Sequence, residues 1–312
     1  MQWALRPSNA RACAVLGAIT IAFSSILVRL SHASPSTAAI FRCAYALPVL
    51  ALLVFYEDRR YGSRPWRERR MAIASGVLFA IDLILWHHSI EDVGAGLATV
   101  LANIQVVLVP VVAWFALSER ISRRVLIALP VTLLGVVLIS GVAEHGAYGA
   151  NPTGGALYGV GAGVAYVGFL LLLRHSGADL RRPAGPLFDA TAVAVVAASV
   201  IGVIWGDARF VPTWPGAGWL VLLALGTQVV GWMLITISLP RLPAASTSLL
   251  LMIQPIGSLA LGALIFSESP SGLQLVGVVM VIGAVVFATR KSRQTEAVRV
   301  PLTGTGPDPE PG

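Results

Sequence analysis

Residues 104–119 read IQVVLVPVVAWFALSE, and residues 253–268 read IQPIGSLALGALIFSE. Both stretches begin Ile-Gln and end Ser-Glu, with the same spacing from Gln105 to Glu119 as from Gln254 to Glu268. Each lies in an apolar run too long for a soluble core helix, and each is followed by another apolar run. A unit of this kind repeated in both halves of a chain points to a duplicated membrane protein.

Composition agrees. The chain is 56% hydrophobic and 12% charged, with a mean hydropathy of +0.79, against about 45–50% and about 25% for soluble domains. Apolar windows of about 20 residues, the length that crosses a bilayer as a helix, recur throughout. Ten spans are expected, near 12–30, 36–56, 71–90, 95–117, 123–142, 154–173, 186–205, 217–238, 244–266 and 272–290. The first has an Arg-containing leader, but no polar mature domain follows it, so it reads as a transmembrane helix and not as a signal peptide. Connections are short except 57–70, and the Pro/Gly-rich tail 291–312 is expected to be disordered.

The net charge of +7 does not imply nucleic acid, because the arginines sit in short loops and form no contiguous patch. They mark topology instead. Ten spans put both termini on one side, and 19 of the 22 basic residues fall on that side, with Arg209 and arguably Arg29 opposite. By the positive-inside rule residues 1–11 and the tail are cytoplasmic, in a multi-pass cell-membrane protein. Five helices per repeat carry the chain across once, so the second repeat runs inverted. The expected fold is an all-α polytopic membrane protein, its ten helices forming two inverted five-helix repeats, 12–142 and 154–290, around a cavity near mid-depth.

The chain resembles the drug/metabolite transporter superfamily, and within it the EamA-like transporters. The residues that carry the resemblance are FALSER followed by LLGVVL, IFSESP followed by VIGAVVF, and Arg42 early in the second helix, in AIFRCAYALP. Two places depart from the pattern: Asp189 stands where an arginine would mirror Arg42, and Gln254-Pro255 interrupts the ninth helix. The resemblance implies a secondary active transporter, commonly exporting amino acids, metabolites or drugs, with no cofactor. Its partners would be a small-molecule substrate, the lipid bilayer and a coupling proton or sodium ion; a homodimer is left open. With no Walker motif and no nucleophile–base pair or metal-binding acid motif in the spans, an ATP-driven pump and an intramembrane enzyme are disfavoured. A membrane sensor or scaffold is a further alternative, for which the short loops leave little material.

Several polar residues fall inside apolar runs, where a charge costs at least about 2.5–3.5 kcal/mol. Asp82 is midway along the third span, with Trp86 one turn on along the same face. The pair suits an ammonium group, by charge and cation–π attraction; Asp82 alone suits a coupling proton or a structural role. Gln228 and Trp232 in the eighth span offer a similar pairing, or else pack against neighbouring helices. Arg42 would bind a carboxylate or phosphate, or snorkel outward. Gln105 and Gln254 meet at similar depth from opposite halves, since the residues between each Gln and its Glu rise about 21 Å along a helix. The candidate substrate site is therefore Asp82, Trp86, Gln105, Gln228, Trp232, Gln254 and Arg42.

The remaining polar residues read as architecture. His87 and His88 are expected at the outer interface, partly solvated. Asp189 is expected near the cytoplasmic face, paired with Arg181 or Arg182. Glu119 and Glu268 are expected at opposite faces, each bonding the turn that starts the next helix. Ser24 and Ser25 are expected to bond their own helix, Gly155, Gly159 and Gly163 to form a packing seam, and Cys13 and Cys43 to be buried thiols without a metal.

Overall fold

The computed structural model describes residues 9–108, 111–112, 123–144, 146–176, 179, 181–211, 213–238, 250–251 and 253–289. Among them every regular element is a helix. In chain order these are α1 (Ala10–Ala22), α2 (Ser24–Ser31), α3 (Pro35–Tyr61), α4 (Trp66–Ala102), α5 (Arg123–Ile139), α6 (Pro152–Ser176), α7 (Ala184–Trp205), α8 (Gly216–Leu222), α9 (Trp232–Ser238), α10 (Ile253–Phe266) and α11 (Gly272–Thr289). A π-helical stretch, Leu223–Gly231, joins α8 to α9.

Six of the described runs are long and apolar enough to cross a bilayer: Ala10–Ser31, Pro35–Tyr61, Trp66–Leu108, Pro152–Leu173, Ala184–Trp205 and Gly216–Ser238. The expected spans 95–117 and 244–266 run into residues 113–122 and 239–249, outside the described residues, and so does the tail from 290. Large apolar side chains such as Leu157, Ile204, Leu264 and Val279 are exposed on the outside of the bundle. In water that would be a liability; against lipid tails it is the ordinary condition of a spanning helix.

Two connections differ from expectation. Residues 57–70 are not a long loop: α3 continues to Tyr61 and α4 begins at Trp66, leaving only 62–65 between them. Arg59 and Arg60 lie in the last turn of α3, where cations suit the negative end of the helix dipole, so charge extends this helix instead of ending it. The gap expected between 90 and 95 shrinks to one residue, Gly94, whose φ of 84° and ψ of 170° interrupt α4.

That single residue turns the chain back. A Cβ added at Gly159 would touch both Leu101 and the Ser89 hydroxyl, two residues about 18 Å apart in a straight helix. α6 therefore lies against both arms of α4. Its glycines make the approach possible, because added Cβ atoms at Gly155, Gly159 and Gly163 would come within 2.5–2.7 Å of Val93, Leu101 and Ile104. The expected seam is real. Ser89 also donates to the Gly155 carbonyl at 2.8 Å.

Elsewhere Gly76 brings α4 onto the Ala190 carbonyl of α7, and Gly135 of α5 packs reciprocally on Gly277 of α11. Phe79 stacks on Phe169 at 4.4 Å, and Trp232 meets both rings edge-on. This aromatic cluster joins α4, α6 and α9 directly beside the polar residues. Cys13 and Cys43 are free and buried.

Three helix starts are capped by carboxylates from distant segments. Glu57, near the end of α3, accepts from the Ala184 and Gly185 amides at 3.0 and 3.1 Å. Asp207, just past α7, accepts from Ser36 N–H at 3.0 Å. Glu268 accepts from Ala95 and Gly96 N–H, at 2.7 and 3.0 Å, at the start of the second arm of α4. Each supplies a negative charge and acceptors where a helix presents unpaired amides.

Gly94 is a sharp test of this arrangement. An alanine there would sit at positive φ, and its Cβ would lie 2.7 Å from Glu268 Oε1. Gly94→Ala is expected to destabilise the protein by about 1–3 kcal/mol from the backbone alone. Thermal unfolding in detergent should show the loss; an unchanged midpoint would contradict this account of the turn.

Candidate functional site

Between these helices lies a cavity of about 70 Å³. Asp82 and Trp86 reach it from the first arm of α4, and Thr99, Asn103 and Gln105 from the returning arm and just beyond it. Arg42 of α3, Tyr166 of α6, Trp232 of α9 and Gln254 of α10 close the wall, with Ser24 at the start of α2. Six of the seven expected site residues line this space. Gln228, the seventh, lies directly behind Arg42.

Arg42 is 3% exposed and does not snorkel. Its Nε donates to Gln228 Oε1 at 3.0 Å, and one guanidinium nitrogen donates to the Ser24 hydroxyl, also at 3.0 Å. Gln228 in turn donates to Thr191 Oγ1 of α7 at 3.2 Å. The guanidinium carbon lies 5.9 Å from the Trp86 ring centre. A buried cation is thus fixed by neutral partners on three helices.

Asp82, 6% exposed, presents its carboxylate to the same cavity. Among the described residues it has no hydrogen-bond partner and no cation within 4 Å. The indole N–H of Trp232 is likewise buried without a partner. Gln228 and Trp232 do what neighbour packing requires, the first bonding across helices and the second filling the aromatic cluster, while Trp232 also faces the cavity.

Several assignments change. Ser24 does not bond its own helix: α1 and α2 part at Phe23, which turns its hydroxyl toward Arg42. The Ala22 carbonyl at that break accepts from Ser258 of α10 at 2.8 Å. Ser25 Oγ is buried without a partner among the described residues. His87 is not a solvated interfacial residue. The start of α3 covers it, leaving it 1% exposed, with Nδ1 2.9 Å from the Pro35 carbonyl oxygen. His88 is only partly buried, stacked between Tyr158 and Trp205.

Asp189 pairs with Arg64, at 2.5 Å, and with Arg69, at 3.5 Å, and not with its neighbours in sequence. Arg181 is held by Asp179 at 2.9 Å, and Arg182 by Asp58 at 3.2 Å. The Arg181 guanidinium also holds the Asp179 carboxyl below the usual carboxylate range. Gly185 makes the Arg64 contact possible, since a Cβ there would lie 2.3 Å from Arg64 Nε. Glu268 bonds the start of the second arm of α4 and the Arg29 guanidinium, and not the turn before α11. Glu119 lies outside the described residues.

The cavity residues that sequence reasoning passed over are Phe79, Thr99, Asn103 and Tyr166, among others, while Ser24 was read as bonding its own helix. Asn103 and Thr99 carried a usable signal, as polar side chains deep in an apolar run. Phe79 and Tyr166 carried none, because aromatic residues are common at any depth.

A family model described as the EamA-like transporter family matches residues 10–141 and again 153–290. The chain belongs to the EamA-like transporter family. The two matches fall one in each half of the chain, and each contains one copy of the Gln-to-Glu unit. This EamA-like chain is 27% identical over 285 residues to the pseudopaline exporter CntI from two strains of Pseudomonas aeruginosa, covering 90% of this chain and 95% of that protein. A solved crystal structure is similar with a TM-score of 0.57 at 16% identity, covering 90% of this chain and 96% of the other; that likeness concerns the fold alone. The chain is therefore a multi-pass membrane transporter of a small molecule, and not an enzyme.

Proposed function

We propose that this protein is a secondary active exporter of a small solute bearing an ammonium group, a zwitterion such as an amino acid among them. It works by alternating access of the central cavity between two inverted five-helix halves, 12–142 and 154–290. Both termini are cytoplasmic. Asp82 takes the ammonium group, Trp86 and Trp232 flank it, Gln105 and Gln254 contact the solute from opposite halves, and Arg42, braced by Gln228, faces an anionic group.

The observation that carries this reading is the unpartnered Asp82 carboxylate facing a cavity whose other wall holds an immobilised arginine. An acid and a base kept apart inside a membrane protein cost stability unless something bridges them in use. The cavity is far smaller than the ~300 Å³ or more of typical ligand pockets, so a solute enters only as the walls part. This fits a closed stage of an alternating cycle.

The packing pattern supports inverted halves. α1 lies against α9 as α6 lies against the first arm of α4, and α3 pairs with α7 as α5 pairs with α11. Exchanging each helix with its counterpart in the other half maps these contacts onto one another. The caps do the same: Glu57 of the first half caps α7, while Asp207 after α7 caps α3. The Pseudomonas exporter, matched along nearly its whole length, supports the outward direction.

The test is a growth screen of expressing and non-expressing cells against toxic amino acids and amine compounds, followed by flux in proteoliposomes. Protection is expected for an amine-bearing compound, and Asp82→Asn is expected to lose it. Sensitisation would indicate uptake instead, and wild-type protection by Asp82→Asn would remove Asp82 from the site.

A further inference from the structure

We propose that the junction of α3 and α4 is a binding site for the phosphate headgroup of an anionic phospholipid in the cytoplasmic leaflet. The inference involves no transported solute, and it rests on the proposed orientation only for the choice of leaflet.

Residues 59–70 hold six arginines, and two of them are used inside the protein. Arg64 is buried on Asp189, and Arg69 reaches the same carboxylate at 3.5 Å. Arg59, Arg60, Arg67 and Arg70 are exposed, and among the described residues none of them is in an ion pair. The acids beside them are turned elsewhere, Glu57 to the α7 amides and Asp58 to Arg182 at 3.2 Å. Glu68, partly buried in the first turn of α4, sets one negative charge against the four arginines.

The direction of these side chains decides the partner. On α3 the exposed Leu52, Phe55 and Tyr56 form a stripe at helical spacing, and its next turn is Arg59 and Arg60. On α4 the exposed Val77 and Ala74 form a stripe that runs back into Arg70 and Arg67, with exposed Trp66 at its tip. Lipid tails cover the apolar part of each stripe, so the headgroup layer lies at the arginines. Only residues 62–65 separate the two helices, which brings both stripes to an end at the same level of the membrane. Exposed Tyr61 and Trp66 flank the connection, and amphipathic rings of this kind favour that layer.

The guanidinium groups are also held in place. Arg59 stacks over Phe55 at 4.3 Å and Arg60 over Tyr61 at 5.8 Å, and Arg60 donates to the Tyr56 hydroxyl at 3.2 Å. Stacking takes a face of the guanidinium and leaves N–H groups at its edge for a phosphate. A bias of charge toward one side would orient the helices without holding any one lipid. Four unpaired arginines at the ends of two lipid-facing stripes make a site, because the ligand that fits has a phosphate joined to acyl chains.

Native mass spectrometry of the detergent-solubilised full chain, with phosphatidylglycerol and phosphatidylcholine at equal concentrations, tests this. Phosphatidylglycerol should bind first, and high salt should weaken its binding and not that of phosphatidylcholine. Arg59→Gln with Arg67→Gln, one change on each helix, should weaken phosphatidylglycerol about thirtyfold. Arg11→Gln with Arg123→Gln, two exposed arginines elsewhere on the same proposed side, should leave it nearly unchanged. Melting curves without added lipid show whether each variant is folded, and the salt response of the wild type needs no variant. Equal binding of the two lipids, or a preference that ignores salt, would overturn the site. Equal losses in the two double variants would replace it with diffuse charge, and displacement by millimolar inorganic phosphate would replace the lipid with a dissolved anion. Labelling of Ser63→Cys from outside intact cells by an impermeant maleimide, with the lipid preference intact, would count against the orientation alone. A failed growth screen with that preference intact would count against the export reading alone.

Discussion

Arg42→Ala is expected to abolish transport and to lower the melting temperature by several degrees, the largest single-residue effect foreseen for the cavity. The substitution orphans Gln228 Oε1, which is fully buried, and an unpaired buried acceptor costs about 1–3 kcal/mol. It also leaves a void where a long side chain crossed between three helices, which adds to the loss. The functional consequence is electrostatic. Without the guanidinium, the cavity wall facing Asp82 loses the fixed positive charge that the proposed function assigns to the anionic group of the solute. Arg42→Lys separates the two losses. Lysine restores a point charge but cannot bond Gln228 and Ser24 together, so flux should return in part while stability stays low. Flux and melting curves in the same reconstituted preparations decide the matter; wild-type flux in Arg42→Ala would remove Arg42 from the mechanism.

What the sequence made legible was the solvent, the repeat and six of the residues that line the cavity. Asp82, Arg42, Gln105 and Gln254 stood out because a bilayer makes polar side chains expensive, and an expensive residue has a reason to face inward. The errors share another cause. Asp189 and Glu268 were assigned partners from their own or adjacent segments, yet their partners lie 125 and 239 positions away. In a membrane bundle the ends of helices from one half meet the starts of helices from the other, and single-sequence reasoning has no term for that meeting. A break was expected between the spans 71–90 and 95–117, but not that the single residue Gly94 would make it. An apolar run reads the same whether one glycine bends it or not, and only the positive φ marks the reversal.

Those end-to-start contacts lead to the second large effect. Glu57 joins α3 to the start of α7, and Glu268 joins the segment after α10 to the start of the second arm of α4. Each bridges the two halves, and under the proposed orientation Glu57 closes the cytoplasmic side and Glu268 the outer side. When a side opens, water can satisfy the exposed helix-start amides; when it is closed, only the carboxylate can. Removing the carboxylate therefore penalises the closed arrangement selectively, by about 1–3 kcal/mol for each amide left unsatisfied. Since about 1.4 kcal/mol is a tenfold change in an equilibrium, Glu268→Ala should raise access to the cavity from outside at least about tenfold. Glu57→Ala should do the same from the cytoplasmic side. A cysteine at Asn103 would report this, with Cys13 and Cys43 replaced by alanine, through its rate of reaction with a membrane-impermeant maleimide added to either face of oriented vesicles. Glutamine at either position keeps one acceptor oxygen and should give an intermediate rate. Opening of the same face by both alanine variants, or of neither, would mean that these carboxylates brace the bundle without gating it. Opposite faces would make the repeated Ser-Glu, at least at Glu268, a latch and not merely a marker of where a helix ends.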